Sequence, residues 1–156
     1  MAKGSIEMKT KFLRGFFIDP FKAQVHAIEI VNEIHVWHQV LMCDCFTVCR
    51  LGAPYAGCKL DLDIWVDDNG LLREPVWPRF KIRNGLLCGY GLVLATNSSG
   101  ESVSVPEVID VPSFAKLMAI SFEPYQIRLD PGDYIEQITR SLELELPGLV
   151  RYCRGQ

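Results

Sequence analysis

Gly15-Phe16-Phe17-Ile18-Asp19-Pro20, with the run Ala23-Gln24-Val25-His26-Ala27-Ile28-Glu29-Ile30-Val31 that follows it, is the stretch on which the fold turns. The first part is a short apolar run closed by Asp-Pro. Proline pushes the residue before it out of helical conformation, so Asp19-Pro20 reads as a turn opener. In the second part Val25, Ala27, Glu29 and Val31 alternate with Gln24, His26, Ile28 and Ile30. A period of two is that of a strand, and two strands joined by a short turn make a hairpin.

Downstream, the spacing predicts a helix capped by Asn32, with Glu33 in its first turn and Val36, Trp37, Val40 and Leu41 on one face. Cys43 to Leu51 returns to strand character, with Asp44, Phe46, Val48 and Arg50 on one face and Cys45, Thr47, Cys49 and Leu51 on the other. After a Gly/Pro loop, Lys59 to Val66 reads as a strand. Asp67-Asp68-Asn69-Gly70 then reads as a tight turn with Gly70 at positive φ, and Leu71 and Leu72 as the start of a return strand. Pro75 and Pro78 make Glu74 to Arg83 a loop or sheet edge. Gly89 to Ala95 is an apolar strand, Asn97-Ser98-Ser99-Gly100 a turn, and Val103/Val105 a further strand.

Pro106 and Pro112 bracket an irregular segment. Ser113 to Met118 is expected as a short helix, Ala119 to Phe122 and Gln126 to Leu129 as strands, and Asp133 to Glu145 as a helix ended by Pro147-Gly148. The sum is an α+β chain, a mostly antiparallel sheet with two or three short helices, in a single domain over residues 1–156. Residues 1–13 and 149–156 are expected to be loose ends.

The 156 residues, 49% apolar and 22% charged, suit one globular core. A net charge of −3 argues against a protein that grips duplex nucleic acid by its phosphates. No run of about 18 apolar residues offers a membrane span. Met1 to Arg14 carries Lys3, Glu7, Lys9 and Lys11 where a secretory signal would have an apolar core, so a cytoplasmic chain with its six cysteines reduced is expected.

The order of pieces Gly15-Phe-Phe-Ile-Asp-Pro-Phe21, Asp44-Cys-Phe-Thr-Val-Cys-Arg-Leu-Gly52, Ile64-Trp-Val-Asp-Asp-Asn-Gly-Leu-Leu72, Gly89-Tyr-Gly-Leu-Val-Leu94 and the Gly100-Glu-Ser102 turn resembles a family of small, uncharacterised phage, prophage and plasmid proteins. The resemblance covers roughly Phe16 to Val105. The cysteine-rich Cys43 to Cys58 stretch and the long segment after Val105 depart from the family pattern. The resemblance implies a mobile-element accessory protein in a bacterial host, one that counters host defence, and it transfers no catalytic residue.

Three groups of residues carry candidate chemistry. His35, His38, Cys43, Cys45, Cys49 and Cys58 are zinc-type ligands. Cys45 and Cys49 would lie about 13 Å apart on a strand, too far for one ion unless the strand bends. Cysteine packed as a small hydrophobe is the simpler account. Asp61, Asp63 and Asp67, with Asp68 beside them, could hold magnesium for phosphoryl chemistry, or could form a solvated strand face running into a turn. Arg79, Lys81 and Arg83, with Arg73 just before, read as an exposed strand face or as a site for an anionic ligand.

Two functions lead, ahead of a third, a structural or assembly component that would form a stable oligomer with no ligand. The first is a non-enzymatic binding protein of a mobile element, without cofactor, whose partner is a host protein or a small ligand. The second is a zinc- or magnesium-dependent enzyme acting on nucleotides or phosphate esters. Uncovered sheet edges make a homodimer compatible with either.

Overall fold

The computed structural model describes residues 11–72, 77–83, 85–123 and 150–152. In chain order the elements are β1 (Phe12–Asp19), β2 (Gln24–Val31), α1 (Ile34–Leu41), β3 (Phe46–Gly52), β4 (Asp61–Asp67), a 3₁₀ turn (Gly70–Leu72), β5 (Arg79–Ile82), β6 (Gly85–Cys88), β7 (Gly91–Thr96), β8 (Ser102–Val103), α2 (Val111–Leu117), β9 (Ser121–Phe122) and β10 (Val150–Tyr152). The architecture is α+β, with every strand pair antiparallel. The main sheet runs β10-β2-β1-β7-β4-β3 with β8 also on β7, and a second sheet runs β6-β5-β9.

The β1–β2 hairpin forms as expected, but β1 begins before Gly15, so Phe12 and Leu13 are paired strand rather than a loose end, with Phe12 opposite Val31 and Asp19 opposite Gln24. Asp19 makes the turn by accepting hydrogen bonds from the backbone N–H of Phe21 (3.0 Å) and Lys22 (3.3 Å) through Oδ1. Successive β1 residues serve opposite faces of the sheet. Leu13 and Phe17 pack with Ile28, Ile30, Leu92, Leu94 and the α1 face Val36, Trp37, Val40 and Leu41. Phe16 and Ile18 pack with Ala27, Ile64, Val93 and Ala95, and with Phe80, Ile82, Phe114 and Met118 from the second sheet and α2. A sheet covered on both faces needs apolar residues at consecutive positions, which is why Gly15 to Ile18 and Gly91 to Ala95 read as runs rather than alternations. Each such large side chain contributes about 1.5–3 kcal/mol when fully buried.

Several boundaries move, each for a local reason. Helix α1 is capped by Glu33, not Asn32, because the Asn32 N–H continues the strand ladder to the Lys11 carbonyl (3.1 Å). Strand β3 begins at Phe46, since Met42 in the left-handed region and the Cys43 N–H bonded to the His38 carbonyl (3.1 Å) finish the helix first. Gly70 does not supply a positive φ. It opens the 3₁₀ turn that replaces the expected strand at Leu71 and Leu72, and a Cβ there would stand 3.0 Å from the Cys88 carbonyl oxygen. Its small size, not its backbone freedom, is what the position uses.

Arg79 to Ile82 is the central strand of the second sheet rather than a loop or edge. Pro112 lies in the first turn of α2, where a proline suits the helix start, and Asp110 caps it by accepting from the Ser113 N–H (2.8 Å). The Ser113 hydroxyl, together with that N–H, holds the Asp110 carboxyl below its usual range. At the C-terminus Val150–Tyr152 adds β10 to β2, so these three residues are not a loose end. The strand expected at Gln126 to Leu129 and the helix expected at Asp133 to Glu145 lie outside the described residues. Among the described residues, no helix is long and apolar enough to cross a membrane.

Candidate functional site

Helix α1 lies over β1, β2 and β7 on one face of the main sheet and leaves the same face of β3 and β4 open. Antiparallel register sets Val48 opposite Trp65 and Arg50 opposite Asp63. These four side chains floor a cleft of about 580 Å³. Ile34 and Trp37 of α1 form one wall, Thr96 to Val103 of the β7–β8 hairpin supply another, and Lys11 and Asn32 lie at the rim. Ile34 and Val48 expose 52% and 44% of their surface there, although both are large aliphatic residues.

The polar part of the floor is built around a buried charge. Asp63 is only 4% exposed. Its carboxylate accepts from Arg50 Nε (3.3 Å) and from the Thr96 hydroxyl. Arg50 Nη1 also reaches Asp61 Oδ2 at 3.5 Å. A buried carboxylate is costly unless paired, so Arg50 and Thr96 are what allow Asp63 to sit at the base of the cleft. The Arg50–Asp61 arm is exposed and adds little stability.

The aromatic part is a cluster in which Trp65 lies 5.4 Å from Trp37 and 5.1 Å from Phe46, centroid to centroid. The two tryptophans differ in one respect. Trp37 Nε1 donates to the Val31 carbonyl (3.2 Å). Trp65 Nε1 is, among the described residues, the one buried side-chain nitrogen or oxygen without a hydrogen-bond partner. Buried indole N–H groups normally find an acceptor.

The residues singled out from sequence are dispersed. His35 is exposed and pairs with Glu33 (3.2 Å). His38 stacks on Phe46 at 4.3 Å and donates through Nδ1 to the Cys43 carbonyl (3.2 Å). Cys43 is buried behind α1, Cys45 is exposed, and Cys49 packs against the opposite core. Cys58 lies in the loop after β3, where its hydrogen bond to Tyr55 pushes the phenol above its usual range. The described cysteines, Cys43, Cys45, Cys49, Cys58 and Cys88, are free thiols. Among the described residues, no three His, Cys, Asp or Glu side chains are placed to share a metal ion.

Asp61 and Asp63 are brought together, with Arg50 bonded to both. Asp67 does not line the cleft; its Oδ1 accepts from the Asn69 N–H (2.9 Å), and Asp68 is exposed. In the basic group Arg79 pairs with Glu123 (2.7 Å), Lys81 is exposed on the same strand, and Arg83 donates to the Leu51 carbonyl. Arg73 lies outside the described residues.

Sequence reasoning missed Arg50, Thr96 and the role of Trp65. The available signal was the pairing of the Asp44–Arg50 face with the Asp61–Asp67 face, which would have put a lone arginine opposite an aspartate. Comparison with known proteins adds no relative to this geometry: no family model, no curated protein and no solved structure matches the chain.

Proposed function

We infer that the chain is a non-enzymatic binding protein, a phage or plasmid accessory acting in a bacterial cytoplasm, that engages a host protein or small ligand through the cleft between α1 and the β3–β4 face. One observation carries this reading. The cleft combines exposed aliphatic side chains and a part-buried aromatic cluster with a hydrogen-bonded Arg50–Asp63–Thr96 floor and a buried indole N–H that has no partner among the described residues. Concave sites with an apolar lining and a few fixed polar groups are where small ligands and anchor side chains bind.

Magnesium on Asp61 and Asp63, the basis of the enzyme reading, would have to displace Arg50 from both carboxylates. The setting in a mobile element comes from the sequence resemblance. Among the described residues no strand pairs with the outer side of β3, which gives a second copy a place to pair.

Native mass spectrometry of the chain purified from a bacterial host, read beside its denatured mass, tests the proposal. A bound species retained by the wild type and lost in Val48→Arg supports it. Equal retention by both refutes the cleft as the binding surface. One or two metal ions per chain that survive Val48→Arg would move the function to the metal-dependent reading.

A further inference from the structure

Three donor-only side chains of the cleft keep hydrogen-bonding capacity, beside two carboxylates that are each already engaged: Asp63 accepts from Arg50 and Thr96, and Glu101 accepts from Asn97 Nδ2 (3.3 Å). Trp65 Nε1 has no acceptor among the described residues. Arg50 commits Nε to Asp63 and Nη1 to Asp61, and among the described residues Nη2 has no partner. Lys11 stands at the rim with no ion pair among the described residues. Indole, guanidinium and ammonium groups are donors only, so whatever fills the cleft must bring acceptors to them. Trp65 and Arg50 occupy adjacent rows of one sheet face, roughly 7–8 Å apart as diagonal neighbours, within reach of one small group.

Charge and shape narrow the class further. The lining holds two cations, Lys11 and Arg50, and two carboxylates, Asp63 and Glu101, so its formal charge is balanced. A ligand with several anionic groups would meet the carboxylates, whereas one oxyanion group can sit on the donor side alone. Beside the donors, Val48 on the floor and Ile34 and Trp37 on the α1 wall present an apolar, partly aromatic surface, suited to a flat ring. A volume of about 580 Å³ lies in the range of small-molecule sites.

We propose that the cleft binds a planar aromatic ring carrying one oxyanion group, a carboxylate or a phosphate monoester. The oxyanion is held by Arg50, Lys11 and the indole N–H of Trp65, and the ring lies against Val48 and Ile34. This rests on the binding reading of the same cleft. Trp65 Nε1 is buried, so holding the oxyanion requires its half-buried ring to turn.

The three tryptophans give three indole N–H resonances, and Trp65→Phe identifies the one that reports the event. The ¹⁵N-labelled full chain is titrated with indole-3-acetate, adenosine monophosphate and adenosine. The expected result is a saturable shift of the Trp65 indole resonance with one or both oxyanion probes, with adenosine binding at least about ten-fold more weakly. Which of the two oxyanion probes responds distinguishes carboxylate from phosphate. Lys11→Gln, at an exposed position, should weaken binding about three- to ten-fold, and Val48→Glu should abolish it, with the other resonances unmoved. No shift with either oxyanion probe at millimolar concentration, or adenosine binding as well as its monophosphate, overturns the proposal. If that happens while Val48→Arg still strips the bound species in the mass-spectrometric test, the ligand class is wrong and the cleft remains the binding surface. If both fail, the binding reading falls with it.

Discussion

Replacing each cleft tryptophan by phenylalanine, one at a time, measures the energetic state of the Trp65 indole directly. The exchange removes about 40 Å² of apolar surface, about 1 kcal/mol at ~25 cal/mol per Å². At Trp37 it also removes the bond to the Val31 carbonyl, which keeps the N–H of Glu33 as a second donor (2.8 Å). That loss is therefore the net worth of one hydrogen bond, about 1 kcal/mol, and Trp37→Phe should cost roughly 2 kcal/mol. At Trp65 the same exchange deletes a buried donor that has no partner. Relief of that desolvation, about 1–3 kcal/mol, offsets the lost area, so Trp65→Phe should be neutral or stabilising. In urea, with a slope of about 2 kcal/mol per molar, the two variants should melt about 1–2 M apart. Equilibrium unfolding followed by far-UV circular dichroism, without added ligand, reads this difference. Equal midpoints would show that the Trp65 N–H is satisfied in solution, and the argument from an unpartnered donor would fail.

Two further perturbations test the frame that supports the cleft. Gly15→Ala would place a Cβ 2.3 Å from the Val93 carbonyl oxygen and 2.8 Å from Leu94 Cδ2, a clash with backbone that no rotamer relieves. It should cost about 3 kcal/mol, the upper end of overpacking, and a loss below about 1 kcal/mol in urea melts would show that β1 and β7 separate easily. Asp19→Asn keeps the acceptor for the Phe21 and Lys22 N–H groups and removes a buried charge. Burial raises the Asp19 pKa despite the backbone bonds and the nearby Lys22 and His26. A raised folded pKa means that Asp19's contribution is fully present below the unfolded value, about 3.9, and is lost as pH rises through the folded value. Asp19→Asn should therefore be more stable than the wild type at pH 7, with the gain shrinking towards pH 4. A variant less stable at pH 7 would mean that the ionised carboxylate is needed for the turn.

Much of the fold was legible because it depends on local rules. The β1–β2 hairpin follows from Asp19-Pro20 and the alternation after it, and the buried face of α1 from Val36, Trp37, Val40 and Leu41 at helical spacing. The exposed face of β5 follows from Arg79 and Lys81 alternating with Phe80 and Ile82. Where reading failed, a distant partner overrode the local signal. Asn32 looked like a helix cap, but its N–H belongs to Lys11. Gly70 looked like a turn residue, but its constraint is the Cys88 carbonyl. Val150 to Tyr152 looked like a tail, yet pairs with Ile28 to Ile30.

The candidate site shows the same division more sharply. Composition and period by themselves determined the α+β class, the hairpin and the alternating faces of β3 and β4, because each depends on neighbours within a few residues. They also brought Asp61 and Asp63 into view as paired carboxylates. Only the tertiary structure decided that Arg50 closes on both, that Thr96 completes the Asp63 shell, and that Trp37 has an acceptor while Trp65 has none. Those facts depend on the register of β3, β4 and β7 and on where α1 stops across the sheet. Register and helix placement are set by packing between segments far apart in the chain, which a reading of local pattern does not contain.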